Sequence, residues 1–229
     1  MRYGFIGLGN MGGAIVKGIL SGDSFSDDEV YGYDIDSVKA EQLYEEAGVS
    51  LCDSVADLAG HSDVIILAVK PQMMRGVLEE IAPVLKARED RFVLVTIAAG
   101  LTMESIQEMA GGNYPVIRLM PNMPAAVGQG MILYCSAKTH LDEMVTFLHI
   151  MKEAGRFSPL PEKLIDAGAS VAGCGPAFVD LFVEALADGG VACGLPRAQA
   201  MEFAAQMVAG SAKLILESKK QEKKISCLV

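Results

Sequence analysis

Apolar positions along the chain fall into two alternating patterns. Short runs at Tyr3–Ile6, Glu29–Tyr33, Asp63–Val69, Phe92–Ile97, Val116–Met120 and Met131–Tyr134 are strand-sized. Between them, apolar residues recur at helical spacing near 12–20, 37–47, 72–87, 102–110 and 140–153. The run Val64-Ile65-Ile66-Leu67-Ala68-Val69 has no polar alternation, as a strand covered on both faces requires. Strands alternating with helices predict an α/β domain with a doubly wound parallel sheet over residues 1–158.

Near Phe157-Ser158-Pro159-Leu160-Pro161 the strand pattern stops, and an all-helical second domain is expected over 159–229. Its helices are predicted at 162–172, 175–193 and 197–218, the last two separated by Gly194-Leu195-Pro196. Both long helices carry small and apolar residues on more than one face, for example Phe178, Leu181 and Phe182, then Phe203, Met207 and Val208. An extension of about 70 residues cannot bury that much apolar area alone, so a dimer or larger homo-oligomer is expected.

Composition narrows the class. The 229 residues are 51% apolar with 29 acidic and 19 basic side chains, a net charge of −10, which excludes disorder and argues against a nucleic-acid partner. No uninterrupted apolar run approaches the roughly 20 residues of a membrane span, so no membrane partner is expected. Five scattered cysteines (Cys52, Cys135, Cys174, Cys193, Cys227) form no C-x-x-C pair and suit a reducing, cytoplasmic compartment. With three dispersed histidines they predict no metal site. Glycines interrupt the N-terminal apolar stretch, and Cys227 stands one place too late for a prenylation box, so no targeting signal is read.

The strongest local motif is Gly7-Leu8-Gly9-Asn10-Met11-Gly12, placed after a strand that ends at Ile6 and before a helix. This is the context of a dinucleotide fingerprint: Gly7 for the turn, Gly9 for approach of the pyrophosphate, Gly12 for close packing. The second strand ends at Tyr33-Asp34, where a carboxylate would meet a ribose hydroxyl. Asp34 would repel a 2′-phosphate, and Ile35 and Asp36 add no cation, so the cofactor, NADPH or NADH, leans towards NADH. Lys39 could reach back and soften that lean. Later strands end in Ala68-Val69-Lys70-Pro71, Ala98-Ala99-Gly100 and Met120-Pro121-Asn122, where such sheets bind ligands. Gly173-Cys174-Gly175-Pro176 precedes a long helix and offers backbone amides to a small-molecule substrate.

Jointly the segments 4–12, 68–72, 97–100, 118–125, 173–178, 184–191 and 194–197 resemble the pyrroline-5-carboxylate reductase family, over about residues 1–218. The resemblance implies a Rossmann domain followed by a helical domain that interlocks two subunits. It implies hydride transfer from NAD(P)H to the cyclic imine, giving L-proline. It also implies a cofactor site of Ile6, Gly7, Leu8, Gly9, Asn10, Met11, Gly12, Asp34, Ala68, Val69, Lys70, Pro71, Ala98, Ala99 and Gly100. On the substrate side stand Met120, Pro121, Asn122, Gly173, Cys174, Gly175 and Pro176. The protonated imine is already electrophilic, so positioning matters more than a strong base.

The chain departs from the family after Glu217-Ser218. Family members continue into a Ser-Pro-Gly-Gly-Thr-Thr turn that holds the substrate carboxylate and supplies a threonine at the imine nitrogen; here Lys219-Lys220-Gln221-Glu222-Lys223-Lys224 and five more residues follow. The expectation is a chain that binds dinucleotide and turns over poorly. Two other readings stand beside it: a non-catalytic dinucleotide-binding paralogue, and a β-hydroxyacid dehydrogenase. The latter needs a helical lysine one turn from an asparagine, which 175–193 lacks.

Overall fold

The computed structural model describes residues 1–21 and 30–218; Glu29, expected in the second strand, and the 219–229 tail with Cys227 lie outside them. By compactness the chain divides into two units between Cys174 and Gly175. The first contains, in chain order, β1 (Tyr3–Ile6), α1 (Asn10–Leu20), β2 (Val30–Tyr33), α2 (Ser37–Ala47), β3 (Ser50–Leu51), α3 (Val55–His61) and β4 (Val64–Leu67). It continues with α4 (Met74–Ala87), β5 (Val93–Thr96), α5 (Met103–Met109), β6 (Val116–Met120), β7 (Gly130–Ala137), α6 (Leu141–Met151), β8 (Gly155–Pro159) and α7 (Glu162–Ala172).

These strands form one sheet in the order β3-β2-β1-β4-β5-β6-β7-β8. The six strands from β3 to β6 in that order run parallel, as expected. β7 does not: it pairs antiparallel with β6, and β8 then runs parallel to β7. The cause is the connection. Only residues 121–129 join β6 to β7, too few for the crossover a parallel pair needs, so the chain folds back on itself. β8 also corrects the expectation that strand structure ends near Phe157, because 155–159 adds an edge strand.

Side chains alternate between two apolar layers. Tyr3, Phe5, Val64 and Ile66 enter one; Ile6, Ile65 and Leu67 enter the other. Helix starts are capped locally: Ser54 Oγ accepts from Asp57 N at 3.0 Å ahead of α3, and Thr102 Oγ1 accepts from Ser105 N at 3.1 Å ahead of α5. By compactness α7 groups with the first unit, where its Ile165 is fully buried beside Met120 and Leu133.

The described part of the second unit is α8 (Gly175–Ala192) followed by α9 (Arg197–Ser218). Small residues let the two helices approach: Ala187, Ala200 and Ala204 are buried, and a Cβ on Gly190 would stand 3.2 Å from the Ala200 methyl. Gly194, at φ +101°, makes the turn. Phe178, Leu181, Phe182, Phe203 and Leu214 remain exposed. By length and composition alone, the helical stretch Glu162–Ala192 could cross a membrane. The sequence criterion of an uninterrupted apolar run passed over it because Asp166, Asp180, Glu184 and Asp188 break the stretch.

Candidate functional site: a glycine-rich groove at the sheet edge

The order β2-β1-β4-β5 reverses direction between β1 and β4, which is the switch point where doubly wound sheets take ligands. The loop from β1 to α1 opens there. Gly7 N donates to Tyr33 O at 2.8 Å and Ala68 N to Ile6 O at 2.8 Å, so both neighbouring strand ends pin the turn.

The three glycines of the turn are needed for three different reasons. Gly7 has φ +100°, and a Cβ there would lie 2.8 Å from the Ala68 carbonyl. Gly12 presses on Gly7: a Cβ would meet its carbonyl oxygen at 2.2 Å. A Cβ on Gly9 would meet nothing within 4 Å, because it points into open space. Gly9 is also the N-cap of α1 and offers no side chain to that helix's first-turn amides. Those N–H groups lack intrahelical acceptors, and the helix dipole adds partial positive charge, so the opening is built for an anion.

A cavity of about 420 Å³ extends from this turn, lined by Ile6, Gly7, Gly9, Asp34, Ala68 and Lys70 among others. Asp34 sits at its edge with both carboxylate oxygens engaged. Leu8 N donates to Oδ2 at 2.7 Å and Asp36 N to Oδ1 at 2.9 Å, so the residue expected at a ribose also clamps the glycine turn. Asp36 accepts from the Lys39 ammonium at 2.8 Å, and that hydrogen bond holds the Asp36 carboxyl below its ordinary range. Lys39 is therefore neutralised by a neighbour. Three carboxylates, Asp34, Asp36 and Glu80, line the cavity against two ammonium groups, Lys39 and Lys70.

The other expected residues sort by element. Asn10 and Met11 form the first turn of α1 with Gly12, while Val69 lines the cavity with Lys70 and Pro71 opens the single helical turn Pro71–Met73 that follows. Ala98, Ala99 and Gly100 follow β5 at the same edge of the parallel sheet; Ala98 is buried and Gly100 has φ +76°. Met120 and Pro121 are buried at the end of β6. Asn122 is tied into the frame: its Nδ2 donates to Ala172 O at 2.9 Å and its Oδ1 accepts from Met131 N at 3.0 Å. Gly173 caps α7 and Cys174 is exposed behind it, whereas Gly175 and Pro176 open α8 in the second unit.

Sequence reading missed one cluster. Arg118, almost fully buried in the middle of β6, donates to Asp166 Oδ1 at 2.7 Å and pairs with Glu162 Oε1 at 3.5 Å, both on α7. A charge inside Val116-Ile117-Arg118-Leu119-Met120 was the available signal, since an all-buried strand tolerates arginine only with partners.

Cys52 and Cys135 show how the frame treats thiols. Burial, chiefly, pushes both up to about 11. At pH 8 about one molecule in a thousand then carries either thiolate. Native protein treated with iodoacetamide at pH 8 should leave the peptides of these two residues unmodified in mass spectrometry, and denaturation should expose them. Rapid native labelling of either would contradict the upward shift of these half-buried thiols.

Comparisons with known proteins agree on one family. Residues 162–227 match the family model described as pyrroline-5-carboxylate reductase dimerisation, and residues 2–100 match that of NADP oxidoreductase, coenzyme F420-dependent. The pyrroline-5-carboxylate reductase of Escherichia coli K12 is 38% identical over 218 residues, 95% of this chain and 80% of that protein. The Glycine max reductase is 35% identical over 218 residues, 95% of this chain and 78% of that one. Among solved structures, the Plasmodium falciparum pyrroline carboxylate reductase with NADP bound superposes with TM-score 0.85 at 31% identity. It covers 97% of this chain and 80% of that one. The Coxiella burnetii reductase gives TM-score 0.84 at 27% identity, covering 97% and 81%.

Proposed function

The chain belongs to the pyrroline-5-carboxylate reductase family, and from that membership we propose that its glycine groove takes reduced dinucleotide, with NADH preferred over NADPH. The reaction is the reduction of 1-pyrroline-5-carboxylate to L-proline. When bound, the cofactor supplies hydride from its nicotinamide ring to C5 of the cyclic imine. The carrying observation for the groove is the division of labour among Gly7, Gly9 and Gly12, in which only Gly9 has open space where a Cβ would go.

The chain's own residues perform the positioning. First-turn amides of α1 receive the pyrophosphate, and Asp34 fixes the glycine turn through Leu8 N while keeping acceptor capacity for ribose hydroxyls. The Ala68–Pro71 and Ala98–Gly100 loops border the path towards the nicotinamide. We place Met120, Pro121 and Asn122 on its substrate side. Because hydride transfer would move the positive charge from the imine to the nicotinamide ring, with no strong base needed, the task left to these residues would be to hold the two rings in line.

The preference for NADH follows from charge. A 2′-phosphate would add negative charge beside Asp34 and Asp36, and the Lys39 ammonium that could answer it is already paired. One extra repulsive contact at surface dielectric is worth about 1–2 kcal/mol, roughly tenfold in affinity. NADP in the Plasmodium relative shows what that protein holds; the groove charges support a different choice here. In parallel fluorescence titrations NADH should bind about tenfold tighter than NADPH. Equal or tighter NADPH would overturn the preference, and binding of neither would overturn the groove assignment. Imine-dependent oxidation of the bound cofactor checks the reaction itself.

A match to a dimerisation model supports a homo-oligomer, and scattered cysteines support a reducing, cytoplasmic setting. The same match favours a second copy of this chain, over a lipid phase, as the cover for the apolar stretch that includes α8.

A further inference from the structure

We propose that Arg118 and Glu162 are positioning residues for the nicotinamide end of the site: they act as an ionic strut that fixes the Ala98–Thr102 loop against β6 and α7. The inference rests on the reading that this loop borders the nicotinamide.

The geometry joins three elements at one carboxylate. Glu162 Oε1 accepts from Met103 N at 2.8 Å, at the first residue of α5, directly after the Ala98–Thr102 loop. The same oxygen pairs with the Arg118 guanidinium, which rises from β6 four residues before Asn122. Asp166, one turn further along α7, holds the other guanidinium nitrogen. At its far end α7 returns to the site edge, where Ala172 O accepts from Asn122 Nδ2. The loops that follow β5 and β6 are thus tied to one helix by Glu162 and Asn122, and Arg118 locks that helix to the sheet.

Stability alone does not account for this arginine. Its neighbours on the same strand face, Val116 and Met120, are apolar and buried, and an apolar side chain would fill position 118 without desolvating a charge. Arg118 Nε is moreover buried without a hydrogen-bond partner, a cost the network leaves unrecovered. Asp166 is 70% exposed, so its pair with Arg118 is screened and recovers little of that cost. Departures from good local chemistry of this kind gather where geometry serves function.

The test uses the full chain with reduced dinucleotide and the variants Arg118→Met, Glu162→Ala and Glu162→Gln. Arg118→Met keeps the volume and removes the charge, so it should fold; a melting curve checks each variant. Three quantities are read: dissociation constant, the emission of bound nicotinamide, and kcat with the imine. Arg118→Met and Glu162→Ala should keep the dissociation constant within about threefold, since the adenine half is held elsewhere. They should lose most of the emission enhancement of the bound nicotinamide and drop kcat by about tenfold or more, the scale expected for sub-ångström to ångström misplacement. Glu162→Gln should restore part of both, because its amide oxygen still accepts from Met103 N. Wild-type emission in Arg118→Met and Glu162→Ala overturns the proposal. So does loss of affinity, emission and melting temperature together, which marks a purely structural role. A wild type that binds neither NADH nor NADPH removes the premise, and is read before any variant is made.

Discussion

Gly9→Val should abolish dinucleotide binding while the protein melts within about 2 °C of wild type. The added Cβ enters open space at the N-terminus of α1, so it disturbs no protein atom. It occupies the space through which the pyrophosphate must reach the first-turn amides. Losing those charge-assisted hydrogen bonds removes at least about 3 kcal/mol, a hundredfold or more in affinity. Gly12→Val should fail differently. Its Cβ would lie 2.2 Å from Gly7 O, a backbone atom that cannot move without dragging the turn, so the melting temperature itself should fall by many degrees. Paired titration and melting of the two variants separates ligand space from packing space. Equal melting temperatures with equal loss of binding would show that the assignment of roles within the turn is wrong.

What made those roles readable in sequence is that they are local. Gly7, Gly9 and Gly12 lie within one turn of chain, flanked by an apolar strand and an amphipathic helix, so spacing and context suffice. The buried strands β1, β4 and β5 were legible for a similar reason, since a run like Val64–Leu67 is covered on both faces and leaves no polar alternation. Two elements were passed over. β3 has two residues, too few to show a period, whereas α3 carries a short i, i+3, i+4 face at Val55, Leu58 and Ala59 that the reading overlooked. The reversal at β7 depends on counting nine connecting residues, 121–129, against the dozen a crossover needs, and an isolated strand pattern carries no direction.

Tertiary chemistry was the least visible. Arg118 finds its partners 44 and 48 residues away, so only the oddity of a charge in an apolar strand announced it. Asp34 was read as a ribose ligand from its place after β2. Its hold on Leu8 N, across 26 residues of chain, depends on a side-chain direction that no pattern encodes. Asn122 carries the same lesson. At a loop position that invites a ligand role, its amide also ties Ala172 to Met131, a link no local pattern encodes.

The second large effect concerns the helical unit. Phe182→Glu should convert an associated protein into a monomer at micromolar concentration, as read by light scattering over a dilution series. Phe178, Leu181, Phe182 and Phe203 are all more than half exposed, and in α9 the consecutive Leu214, Ile215 and Leu216 are each exposed as well. Three successive residues point in three directions around a helix, and the described residues leave all three uncovered. A second copy that interlocks with both helices can cover them, and the dimerisation family matched over 162–227 names that kind of partner. Burying a phenylalanine contributes about 2 kcal/mol, and a two-fold interface uses each residue twice. The substitution therefore removes at least about 4 kcal/mol, close to a thousandfold in association, before the cost of burying two glutamates. The glycine groove lies in the other compact unit, so the monomer should still bind dinucleotide with little change. Wild-type protein that is already monomeric at high concentration would contradict the argument, and so would a Phe182→Glu variant that stays associated.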